Sequence, residues 1–104
     1  MVTAEMAVAI LAALTVVIML SWAIQVVVLQ LRCVDTAAEV ARQAARGDDA
    51  AVRTAKRDAP VGAEVTVVNR GGVTSVAVRL QAKPPVRGLP TVPLEAAAQA
   101  VNEP

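Results

Sequence analysis

Glu5 and Cys33 are the two side chains whose placement in this chain asks for a chemical reason. Glu5 stands directly before a run of 26 residues, 6–31, that holds no Asp, Glu, Lys or Arg. The polar members of that run are Thr15, Ser21, Gln25 and Gln30. A carboxylate at this point suits the positive end of a helix dipole, and it can rest in a lipid head-group zone. It can also meet a cation when the helix leaves lipid. The α-amine of Met1, four residues away, would be that cation on a staggered neighbouring copy if Met1 is the mature terminus. An unpaired acid costs about 2.5–3.5 kcal/mol on membrane-insertion scales, so such a pair would penalise wrong registers between packed helices.

Cys33 follows the apolar run. As the lone cysteine it forms no internal disulfide. Its thiol can be acylated or can bridge two subunits, but free Cys also behaves as a compact hydrophobe, and packing on the helix is the preferred reading. The rest of the inventory disfavours an enzyme. There is no His, Tyr or Phe, and no phosphate loop, metal-ligand spacing or nucleophile–base pair stands in the sequence, so neither a cofactor nor a metal is implied. Ten cations against nine acids leave a net charge of +1, spread thinly along the chain. Nucleic-acid binders concentrate their basic charge. Arg70 and Arg79 have no aromatic neighbours and read as solvated surface.

These residues need elements to hold them. About 20 apolar helical residues cross a bilayer core of about 30 Å, so residues 6–31 are long enough to span one with some tilt. A secretory signal is the competing reading, but MVTAE carries no basic side chain and the helical pattern continues past the apolar run without a break. Ala7, Ala9, Ala12 and Ala13 would let neighbouring helices approach closely, and Ser21, Gln25 and Gln30 would act as polar glue between them. Trp22, deep in the run, reads as a plug facing lipid or another subunit. Gly and Pro are absent from residues 1–46, which predicts one continuous helix over 3–46. Its amphipathic extension sets Val34, Ala37, Ala38, Ala41, Ala44 and Ala45 against Arg32, Asp35, Glu39, Arg42 and Arg46. Gly47 is placed to terminate it.

Beyond the helix the pattern changes. Asp48 and Asp49 open a short second helix ending near Asp58, with Pro60 and Gly62 closing it. Residues 64–69 and 73–83 alternate with period two around Asn69-Arg70-Gly71-Gly72, a β-hairpin signature. Val65 and Val67 share one face, as do Val76, Val78, Leu80 and Ala82. A connection rich in Pro follows. The tail, 91–102, is ambiguous: LEAAAQAV favours helix by propensity, whereas a lone hairpin needs a third strand. The domain reading is a long helix over 1–46, with a transmembrane part at about 6–31, and a small unit over 47–104, which the resemblance given below makes an αβββ unit outside the cytoplasm. About seventy extramembrane residues make a marginal domain that needs support from the emerging helix or from neighbouring copies.

MVTAEMAVAILAALTVVIML, with Glu at its fifth position before an unbroken apolar helix, resembles the processed N-terminus of a type IV pilin. Its continuation, VVVLQLRCVDTAAEVARQAARGD, then a hairpin around NRGG and a short tail, is similar to the TadE-like minor pilins of actinobacteria. The resemblance implies an α+β pilin-like fold with a three-stranded antiparallel sheet, the tail as its third strand with Val92, Leu94, Ala96, Ala98 and Ala100 on one face. It implies removal of a basic leader by a prepilin peptidase just before Met1, with Met1 as initiator the alternative. It also implies assembly with other pilin subunits on an inner-membrane platform, Glu5 setting the register and the helices packing through Ala9, Ala12, Ala13 and Gln25. The chain would lie in the cell membrane as a single-pass protein with its C-terminal domain outside, then in an extracellular Tad pilus or its base. Arg32, the first charge after the apolar run, argues for the opposite orientation by the positive-inside rule. Two other classes compete: a single-span protein of an envelope machine that never polymerises, and an adhesive or DNA-uptake subunit.

Overall fold

The structure, a computed structural model, describes residues 2–84 and 86–103. Helix α1 (Val2–Ala45) runs unbroken for 44 residues, about 65 Å at 1.5 Å per residue. It sets the 75 Å length of a molecule only 19 × 18 Å across. Without Gly or Pro nothing interrupts it, and its end is built by a Schellman arrangement. Gly47 takes φ +76°. Its N–H donates to the Ala44 carbonyl at 3.1 Å, and that of Asp48 donates to the Gln43 carbonyl at 3.2 Å.

Asp48 then caps α2 (Asp49–Arg57), its carboxylate accepting from the Ala51 N–H at 3.0 Å. Strands β1 (Glu64–Arg70), β2 (Val73–Ala82) and β3 (Val92–Val101) form an antiparallel sheet in the order β1-β2-β3. The two-residue turn Gly71-Gly72 has φ of +61° and +79°, the positive-φ pair that matches the twist of a tight hairpin. The fold is thus α+β with a long N-terminal helix and a three-stranded sheet, and the tail is a strand. Tertiary pairing overrode helix propensity there, because β3 gives the hairpin its third strand and pairs with β2 over all ten of its residues.

One face of the sheet lies against the second half of α1, with α2 packed beside it. Val76, Val78, Leu80 and Ala82 of β2 and Leu94 and Ala96 of β3 meet Cys33, Ala37, Val40 and Ala41 of the helix and Ala55 of α2 in one core cluster. Half of the buried apolar residues are Ala, so backbones approach closely but little area is removed from water. One correction follows for α1. Its buried face is Cys33, Thr36, Ala37, Val40, Ala41 and Ala45, while Val34 stays 46% exposed. The expected stripe through Val34 was therefore turned part-way off the true one. The support expected from the emerging helix is present, since Cys33, Ala37, Val40 and Ala41 share one core cluster with β2, β3 and Ala55. That support begins early: residues 3–21 are all exposed, whereas Trp22, Val26 and Leu29 already pack against the core cluster.

Candidate assembly and membrane surface

Glu5 lies in the first turn of α1 and is exposed. The ion pairs among the described residues are Arg42–Glu39 at 2.7 Å and Arg79–Glu95 at 3.4 Å, and Glu5 belongs to neither. The Met1 amine proposed as its partner lies outside the described residues. Ala9 and Ala12 follow Glu5 at steps of four and three, so on an α-helix they continue its face, with Ala13 flanking it. All three are exposed. Gln25 is exposed too, but twenty residues on, at about 100° per residue, it falls nearly opposite Glu5 and about 30 Å along the axis. The helix therefore brings Glu5 and the alanines together and leaves Gln25 elsewhere.

The apolar surface around them is extensive. Leu11, Leu14, Val17, Ile18 and Leu20 are all more than half exposed. The most apolar 18-residue window of the helix has a mean hydropathy of 2.6, with none of it buried inside the molecule. A helix segment that is apolar on every side and stays exposed in its own chain is suited to lipid or to other helices rather than to water. Its length and composition are sufficient for one membrane crossing.

No match to this chain is found among protein-family models, curated proteins or solved structures.

The remaining candidates resolve differently. Cys33 is fully buried, and burial pushes its thiol above the usual value while the Arg32 charge pulls it down. A thiol held neutral and out of reach packs; in this fold it is presented neither for acylation nor for an intersubunit disulfide. Gln30 is a second departure: its Nε2 donates to the Glu95 carbonyl of edge strand β3 at 2.9 Å. It latches the helix to its own sheet rather than to a neighbouring helix. Trp22 is half-buried beside the β2–β3 connection, where Pro84, Val86 and Leu89 line an apolar crevice with Thr15, Ile18, Met19 and Trp22. That contact was not legible beforehand, because nothing in the alternation of a strand says which way the loop after it will fold.

Two polar devices fix the head on its stem. Asn102 accepts from the Thr74 hydroxyl and donates to the Asn69 side chain at 2.9 Å, tying the three strands together at one end. The Glu103 N–H donates to the Ala45 carbonyl at 3.0 Å, using an acceptor that the end of α1 leaves free. On the solvent side of α1, Glu39 accepts from Gln43 and Arg42 at 2.8 and 2.7 Å. The Gln43 hydrogen bond, helped by Arg42, holds its carboxyl below the usual range.

Proposed function

We propose that this chain is a minor pilin-type subunit of a Tad-type pilus, or of the complex that initiates one. The observation that carries the reading is the uncovered apolar half of α1, headed by Glu5 and continuous with the helix that forms the core of the small head. A rigid stem of this kind stays in a bilayer while it waits and packs against other stems when it leaves. Glu5 then acts as the registering charge, paired with the amine of a neighbouring copy, and Ala9 and Ala12 on the same face allow the close approach that such pairing needs. The function is structural, with no reaction at any site of the chain. The partners are other pilin subunits, the peptidase that exposes the terminus, and the membrane platform that lifts the stem.

The test is incorporation. Glu5→Ala should leave membrane insertion intact and reduce recovery of the chain in mechanically sheared filaments, with Glu5→Gln failing in the same way because it too lacks the charge. Recovery of both variants at the parental level would remove the registering role.

A second reading is favoured by one specific observation. Arg32 flanks the apolar run on its C-terminal side, and the positive-inside rule then turns the head toward the cytoplasm. In that orientation the chain is a single-span protein of an envelope machine. A reporter fused after Glu103 that is active only outside the cytoplasm separates the two readings.

A further inference from the structure

In the β2–β3 connection, Pro84, Val86 and Leu89 lie beside α1 instead of away from it. They lie across from Thr15, Ile18, Met19 and Trp22, enclosing a crevice of about 320 Å³. Yet Val86 and Leu89 remain 55% and 57% exposed. The loop thus carries apolar side chains outward at a height on the helix that any membrane span must bring close to lipid.

The depth can be counted. A hydrocarbon core of about 30 Å takes about 20 helical residues, and if it begins just after Glu5 it ends near Gln25. The helix residues that line the crevice with the loop, 15–22, then lie three to ten residues inside that boundary, or about 5–15 Å at 1.5 Å per residue. Trp22, Met19 and Ile18 fall at the depth where interfacial apolar segments sit, and Thr15 lies below it. The chemistry of the loop agrees. Between Ala82 and Leu94 the charged residues are Lys83 and Arg87, with no acid. Pro84 and Pro90 have no N–H to leave unsatisfied in a dry layer. Gly88 turns the chain at φ +92°, between Arg87 and Leu89.

We propose that this connection is a second membrane contact. Val86 and Leu89 enter the boundary between head groups and acyl chains beside Trp22, while Lys83 and Arg87 extend to the phosphates of anionic lipids. The head then rests on the bilayer at a fixed height and tilt instead of swinging on its stem. The inference rests on α1 spanning a bilayer and not on filament assembly, so it can fail while the pilus reading stands.

The experiment uses the full chain with Cys33→Ala, carrying a single new cysteine labelled with an environment-sensitive fluorophore at Leu89→Cys or, as a solvent control, at Gly71→Cys. Each is reconstituted in vesicles of phosphatidylcholine alone or of equal parts phosphatidylcholine and phosphatidylglycerol, with spin-labelled lipids as quenchers. The label at 89 should emit to the blue of the label at 71 and be quenched several-fold more strongly by shallow spin labels. Its quenching should deepen with phosphatidylglycerol, and Lys83→Gln with Arg87→Gln should abolish that increment. The only aromatic residue gives a label-free check: Leu89→Asp should shift Trp22 emission to the red. Equal emission and quenching at positions 89 and 71 would overturn the proposal. So would a blue-shifted label at 89 that spin-labelled lipids do not quench and that shifts to the red when the chain is diluted in lipid, which would make the loop a contact between subunits.

Discussion

The two halves of α1 are one continuous helix and meet opposite fates. In the first half Leu14 is 53% exposed and Ile18 is 53% exposed, while in the second Cys33, Ala37 and Val40 are at 0%. The difference lies in how charge and side-chain size are arranged around the helix. Residues 33–45 alternate apolar with charged at helical spacing, and small Ala side chains on the inner face let a three-stranded sheet lie against them. Residues 6–20 carry no charge on any side, so no single face is marked for a partner within the chain, and they stay exposed although Pro84, Val86 and Leu89 line a crevice beside Thr15, Ile18 and Met19. The same helix is therefore a core element at one end and an exposed apolar surface at the other. Such a surface is suited to lipid or to other helices.

The largest expected effect that sharpens this comparison is in the head. Val78→Asp would place an unpaired charge at a position with 0% exposure, costing on the order of 4 kcal/mol or more, beyond what a core this small can absorb. Protease resistance of residues 33–103 should be lost in the full chain in detergent micelles, while insertion of residues 3–21 persists. Leu14→Ala should do the reverse of harm: no change in the thermal unfolding of the head. If Leu14→Ala destabilised the head as core substitutions do, the division between the two halves would be wrong.

Smaller effects follow. Val40→Ala removes two methyl groups from a fully buried site and should cost about 2 kcal/mol, read as a lower unfolding midpoint. Cys33 should be inert to alkylating reagents in the folded chain and react once the head unfolds, so the rate of thiol labelling in Val40→Ala should rise in proportion to the destabilisation. Gln30→Ala, which frees the Glu95 carbonyl, should cost about 1 kcal/mol.

The smallest effect is on pH. Glu39 has its carboxyl lowered in the folded state. Its stabilising contribution is therefore present above the ordinary glutamate value and is lost as pH falls through the lowered one, below about 4.5. Glu39→Gln should flatten the acid limb of the stability profile there without altering stability at alkaline pH. An unchanged acid limb would show that the hydrogen bonds from Gln43 and Arg42 persist in the unfolded chain or carry no weight.

Much of this architecture was legible from spacing alone. The absence of Gly and Pro over residues 1–46 predicted the long helix, Asp48 and Gly47 its neighbouring caps, and the double Gly the hairpin. Alternation assigned the inner face of β2 correctly, while the strand and the face of β3 came from the pilin resemblance. The tail needed an argument beyond propensity, because Ala-rich sequence prefers helix until an open strand edge offers it hydrogen bonds. Three features escaped. The helix face was misjudged at Val34, since an Ala-rich surface gives little contrast between inside and outside. Gln30 read as interhelical glue because its partner is a main-chain carbonyl, which every residue carries and no motif marks. The Pro-rich connection was legible as irregular but not as something laid against Trp22. In the candidate site, Glu5 and the Ala9–Ala12 stripe stood out because charge and size break a uniform background. Gln25 was grouped with them by type, though helical geometry puts it on another side.

The central claim is that the first half of α1 exchanges lipid for other helices. Ala12→Cys in a Cys33→Ala background, oxidised in cells that carry the partner subunits, tests it most directly, because residue 12 lies on the face of Glu5. The account predicts disulfide-linked products between stems, present in the sheared fraction and lost when Glu5→Ala is added. A chain that stays monomeric in the membrane fraction, with no linked product in either variant, would contradict it.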